Sequence, residues 1–125
     1  MEFTHAASVE KRILLISSYH PDYPTFFKQI DGVKKGLEEA GFRRSSLVLD
    51  IEFMDTKRFY SDEAVSGFYD RLEKKLSMLP PYDLILTADD IGTKSAIQRQ
   101  TKLFKNTPII FFSVNDRDFS IKQNQ

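Results

Sequence analysis

The chain has 125 residues, of which 41% are hydrophobic and 29% charged, a balance that suits one soluble globular domain with a core of its own. Eighteen Lys and Arg offset eighteen Asp and Glu, so no global field draws the chain to nucleic acid or to an anionic membrane. Cysteine is absent, which excludes disulfides, thiolate catalysis and sulfur-ligated metals and leaves the redox compartment open.

No apolar run approaches the roughly 20 residues that span a bilayer, so direct membrane insertion is not expected. Met1 to Glu10 lack periodicity and precede the first strand; they read as a disordered or cloning-derived extension, or as the remnant left by a removed signal peptide. Ile13, Leu14, Leu15 and Ile16 then form an unbroken apolar run, the pattern of a strand covered on both faces. At its carboxyl end the run gives way to Ser17, Ser18, Tyr19 and His20, followed by Pro21 and Pro24.

Phe26, Phe27, Ile30, Val33, Leu37 and Ala40 recur at helical spacing, with Pro24 suited to the first turn and Gly41 to the position past the end. Gly32 and Gly36 lie inside this helix, where close approach to the sheet would account for them. From Leu47 the period becomes two: Leu47, Leu49, Ile51 and Phe53 share one face and Val48, Asp50, Glu52 and Met54 the other, which predicts an edge strand. A polar loop, Asp55 to Tyr60, leads to Ser61 as N-cap of a second helix, with Asp62 and Glu63 in its first turn. The buried stripe of that helix is Val65, Phe68, Leu72, Leu76 and Leu79, Lys74 and Lys75 suit its end, and Pro80-Pro81 stops it.

Leu84 to Ala88 reads as a third, buried strand running into Asp89-Asp90. Ile91 to Leu103 reads as a third helix capped by Asp90. Pro108 opens a fourth buried strand, Ile109 to Val114, which ends in Asn115-Asp116. The alternation βαβαβαβ, with right-handed crossovers, closes as a flavodoxin-like three-layer α/β/α lobe whose parallel sheet has strand order 2-1-3-4. Only Phe119 to Gln125 remain, too few for a further strand and helix, so the chain reads as one lobe of something larger.

Four carboxyl-end loops should converge: Ser17 to His20, Asp55 to Arg58, Thr87 to Asp90, and Ser113 to Asp116. In open α/β sheets that is where ligands bind. Taken singly, Asp90 could cap a helix, Asn115 and Asp116 shape a turn, and Asp55 accept a local backbone bond; their joint placement points to a site. Ser17 or Ser18 with His20 and Asp89 has the residue types of a hydrolytic triad but lacks the Gly-x-Ser-x-Gly elbow, so hydrolysis is not expected. A response-regulator receiver domain would need its acidic residues after the first strand, where this chain has Ser17 and Ser18. Neither Gly-x-Gly-x-x-Gly nor Gly-x-x-x-x-Gly-Lys-Ser occurs, so dinucleotide and triphosphate fingerprints are missing. Tyr19, Tyr23 and Tyr60 leave flavin stacking as an alternative. His5 and His20 share no helix face, and Asp89, Asp90 and Asp116 would make a weakly selective cation site; neither a metal nor another cofactor is expected.

Lys11 to Pro21, Ile51 to Phe59, Tyr82 to Asp90 and Pro108 to Asp116, in this order, resemble the first lobe of the extracytoplasmic sensor domains of bacterial two-component histidine kinases. That family is similar in turn to the substrate-binding proteins of ABC transporters, with a periplasmic-binding-protein type I fold. The resemblance implies a receptor lobe and not an enzyme, extracytoplasmic on a membrane-anchored parent, closing on a small molecule together with a second lobe of the same parent. It implies a ligand wall of Ser18, Tyr19, His20, Asp89, Asp90 and Asn115, with Asp55, Lys57 and Arg58 in a supporting loop. On this reading residues 1–10 precede the lobe, 11–118 form it and 119–125 are a truncated C-terminal tail, and the exposed end of the truncated lobe could pair with a copy of itself as a homodimer. The alternatives are the solute-binding component of a transporter and a flavodoxin-like flavin protein.

Overall fold

The computed structural model describes residues 10–19, 26–42, 46–56 and 58–112. The apolar run of β1 (Lys11–Ser17) is buried as its lack of alternation predicts: Ile13 to Ile16 are each at most 1% exposed. Around it follow α1 (Phe26–Glu39), β2 (Leu47–Phe53), α2 (Asp62–Leu76), β3 (Leu84–Ala88), α3 (Asp89–Gln98) and β4 (Ile109–Phe112). The sheet has the expected order β2-β1-β3-β4, and every neighbouring pair is parallel. In register, Ser17 lies opposite both Phe53 and Ala88, and Ala88 opposite Phe112, so the four carboxyl ends are level along one rim.

Successive side chains of β1 enter two different cores, as a pleated strand requires. Leu14 and Ile16 join Ile85, Phe68, Leu72, Ala96 and Phe104 beneath α2 and α3. Ile13 and Leu15 join Leu86, Ala88, Ile30 and Leu37 beneath α1. The result is the three-layer lobe. Edge strand β2 turns Asp50 and Glu52 toward the α2 side, where both carboxylates are paired: the Tyr82 hydroxyl donates to Asp50 at 2.5 Å and Lys75 Nζ to Glu52 at 2.9 Å. Among the described residues no helix is long and apolar enough to cross a membrane.

Helix ends follow local chemistry. Ser61, with extended φ of −157°, accepts from Ala64 N at 3.0 Å and caps α2 as expected. Beyond α1, Gly41 takes φ +98° while its N–H donates to Glu38 O at 3.1 Å and Phe42 N–H donates to Leu37 O at 2.9 Å. This paired closure requires a left-handed residue, which glycine adopts without strain.

Several expectations are corrected. Helix α3 starts at Asp89, so Asp90 lies in the first turn and Ala88 occupies the cap position without a side-chain bond. It also ends at Gln98 and not at Leu103, because the chain winds into tight turns from Arg99 onward and Lys105 and Asn106 both take positive φ. On α2, Tyr69 is buried and Leu79, past the helix end, is 41% exposed. Strand β4 is not covered on both faces: Ile110 is 54% exposed, since it points to the α1 side and α1 packs over the other strands. Gly32 and Gly36 do not mark close packing, since a Cβ at either would meet nothing within 4 Å.

With open space at both positions, only the helix-propensity penalty of glycine acts there. Gly32→Ala with Gly36→Ala should therefore raise unfolding stability by about 1–2 kcal/mol in denaturant titration. A loss of stability would show that α1 is packed against something at those positions.

Candidate functional site

The rim is held together by one buried serine. Ser18 follows β1 directly and is 0% exposed. Its Oγ donates to Ala88 O at 2.8 Å and accepts from Gly92 N–H at 2.8 Å. Its carbonyl accepts from both the N–H and the Oγ1 of Thr56, at 2.8 and 2.7 Å. One residue thus ties the β1 loop to the β2–α2 loop on one side and to the β3–α3 junction on the other. Gly92 makes this approach feasible: a Cβ there would lie 3.0 Å from Ser18 Oγ and 3.4 Å from Ile16 O.

Both flanking junctions turn on a left-handed aspartate, Asp55 at φ 60° and Asp89 at φ 68°. Asp is among the few residues that tolerate this region. The Asp55 carboxylate accepts from Arg58 Nε at 3.0 Å and from Nη2 at 2.6 Å, and the Arg58 guanidinium also lies 5.2 Å from the Phe59 ring centroid. Phe59 and Tyr60 are 60% and 67% exposed, giving the rim an aromatic shoulder. On the other side Asp89, 7% exposed, and half-buried Asp90 occupy the first turn of α3, where carboxylates complement the helix dipole.

Behind the rim lies a buried hydroxyl layer. Thr87 and Thr93 share a 2.9 Å bond, and Tyr69 and Ser95 one of 2.8 Å, while Ser95 also donates to Ile91 O at 2.7 Å. The Arg99 guanidinium stacks 4.1 Å from the Tyr69 ring centroid. Burial pushes the Tyr69 phenol up to about 12, outweighing the Ser95 hydrogen bond and the Arg99 charge that favour its ionised form.

Of the residues expected at the site, Ser18, Tyr19, Asp55 and Arg58 lie on loops and Asp89 and Asp90 in the first turn of α3, all at the level carboxyl ends, while His20, Lys57 and Asn115 lie outside the described residues. The Ser18 hydroxyl is spent on main-chain partners, so this residue shapes the wall from behind. Thr56 belongs to the expected Asp55–Arg58 loop, whereas the sequence does not single out Gly92, Thr93 or Ser95. The one signal for them is the density of small and hydroxyl residues in Gly92-Thr93-Lys94-Ser95-Ala96, which a loosely periodic helix does not need for its own stability. Among the described residues no group of three His, Asp or Glu is placed to hold a metal ion. Comparison with protein-family models, with curated proteins and with solved structures finds no match to this chain.

Two outcomes follow from this geometry. Gly92→Ala should destabilise the fold by about 1–3 kcal/mol through overpacking, and by less when Ser18→Ala has already removed the crowded hydroxyl, a coupling that a double-mutant cycle measures; strict additivity would dissolve the clamp. The Tyr69 phenol ionises near 10 in the unfolded chain and near 12 in the fold, so its contribution is intact below pH 10 and declines as pH rises toward 12, by about 2–3 kcal/mol. Tyr69→Phe should remove that part of the alkaline decline in pH-dependent unfolding, whereas an unchanged decline would place the phenol in water.

Proposed function

We propose that this chain is the N-terminal lobe of an extracytoplasmic small-molecule-sensing domain in a bacterial signal-transduction protein of the sensor histidine kinase type. The observation that carries the reading is the level rim at the carboxyl ends of four parallel strands, polar in the described segments that follow β1, β2 and β3. There Ser18 locks two aspartate-turned loops into one wall, the usual place for a ligand in an open α/β sheet. The resemblance of the four strand-and-loop segments to sensor lobes supports the same reading.

In this account the segment binds and does not catalyse. The carboxylates of Asp89 and Asp90 favour a solute that presents hydrogen-bond donors, and Tyr19 lies on the same rim; the resemblance adds His20 and Asn115, which lie outside the described residues. Arg58, Phe59 and Tyr60, exposed beside the rim, have the composition of surfaces that become buried on association, and a second lobe closing over the solute would cover them. Preference of the solute for the closed pair is what would bias a linked kinase.

The test uses the two-lobed parent protein and a calorimetric panel of amino acids, amines, sugars and organic acids. Asp90→Ala and Asn115→Ala should each weaken the binding member by about tenfold, equal to ~1.4 kcal/mol, with little change in melting temperature. Unaltered affinity in both variants would remove the rim from recognition.

A further inference from the structure

A second hollow opens at the opposite end of the sheet, independent of the rim. It has a volume of about 370 Å³ and lies among the end of α2, the Pro80–Tyr82 approach to β3 and the turn that leads into β4. This volume falls within the range of small-molecule sites, about 300–1,000 Å³. Its floor is apolar, made by Leu76, Ile85, Leu103 and Phe104, of which Ile85 and Phe104 are 1% and 5% exposed. Charged groups stand only at its lip: Lys102 and Lys105 against a single carboxylate, Glu73.

The hydroxyls around the hollow are already spent. Tyr82 donates to Asp50 at 2.5 Å, Ser77 to Lys74 O at 2.7 Å and Thr107 to Phe104 O at 2.6 Å. The charged side-chain donors for an incoming polar group are the two ammonium groups, and among the described residues neither forms an ion pair. Lys105 is also presented by a stiff turn. It takes φ 54° and Asn106 φ 66°, and the turn is closed by Asn106 N–H to Gln100 O at 2.9 Å and Gln100 Nε2 to Thr107 O at 3.1 Å. A lysine in that region is strained where glycine would not be.

An apolar floor excludes strongly hydrated solutes, and a lip with two cations and one anion selects a single negative charge. We infer that this hollow is a second binding site, for a small amphipathic monocarboxylate whose aryl or alkyl body fills the floor while its carboxylate meets Lys102 and Lys105.

The test takes the 125-residue chain, with 4-phenylbutyrate and its uncharged analogue 4-phenylbutyramide as probes, followed by calorimetry and by amide NMR shifts. The acid should bind about tenfold more tightly than the amide, shifting amides of Leu76–Ser77 and Leu103–Thr107 and leaving Ser18 and Gly92 unmoved. Lys102→Gln with Lys105→Gln should abolish the preference. Lys105→Gly should weaken it in a protein at least as stable as the parent, since the strained turn is relieved. Equal affinity for acid and amide, no binding of either at about 10 mM, or a preference that survives the double substitution would each overturn the assignment.

Discussion

The structure depends on the complete burial of Ile13 to Ile16. A strand with apolar groups on both faces must have a helical layer above and below it, which places β1 inside a parallel sheet and forces the chain to cross it in both directions. The reversal of direction at β1 opens the crevice, because the loop leaving β1 and the loop leaving β3 depart toward opposite layers. The two cores are thus the cause of the rim.

Ser18 converts that topology into a defined surface. Placed one residue beyond the strand and sealed from water, it satisfies the Ala88 carbonyl, the Gly92 N–H and two donors from Thr56. Buried backbone groups at a strand-to-helix junction would otherwise carry a desolvation penalty of about 1–3 kcal/mol each. The left-handed turns at Asp55 and Asp89 are tolerable in this setting because the loops on either side are already pinned. The opposite end of the sheet is built differently, with hydroxyls spent on local partners and ammonium groups beside an apolar floor, so the two ends of one small lobe present different chemistry.

Much of the fold was legible in the sequence. The unbroken run of β1 and the period-two pattern of β2 together imply that one strand is central and the other an edge, which is enough for the order 2-1-3-4. Caps with a side-chain or glycine signature, Ser61 and Gly41, were legible for the same reason. The end of α3 was not, since Thr101 to Asn106 contain neither proline nor glycine and the tight turns there come from two left-handed residues that propensity does not announce. The exposure of Ile110 was equally hidden: an apolar strand looks the same whether one helix or two lie over it.

The site was legible as a set of loops but not as a set of contacts. Sequence position puts Ser18 on the rim; it does not reveal that its hydroxyl turns inward, which depends on Gly92 some seventy residues later in the chain. Hydrogen–deuterium exchange of the two-lobed receptor proposed above, with and without the solute that a panel identifies, distinguishes a site on the rim from one elsewhere on the lobe. The account predicts that added protection concentrates in peptides covering Ser17–Tyr19, Met54–Arg58 and Ala88–Gly92. Protection confined to the amino-terminal ends of the strands, with those peptides unchanged, would contradict it.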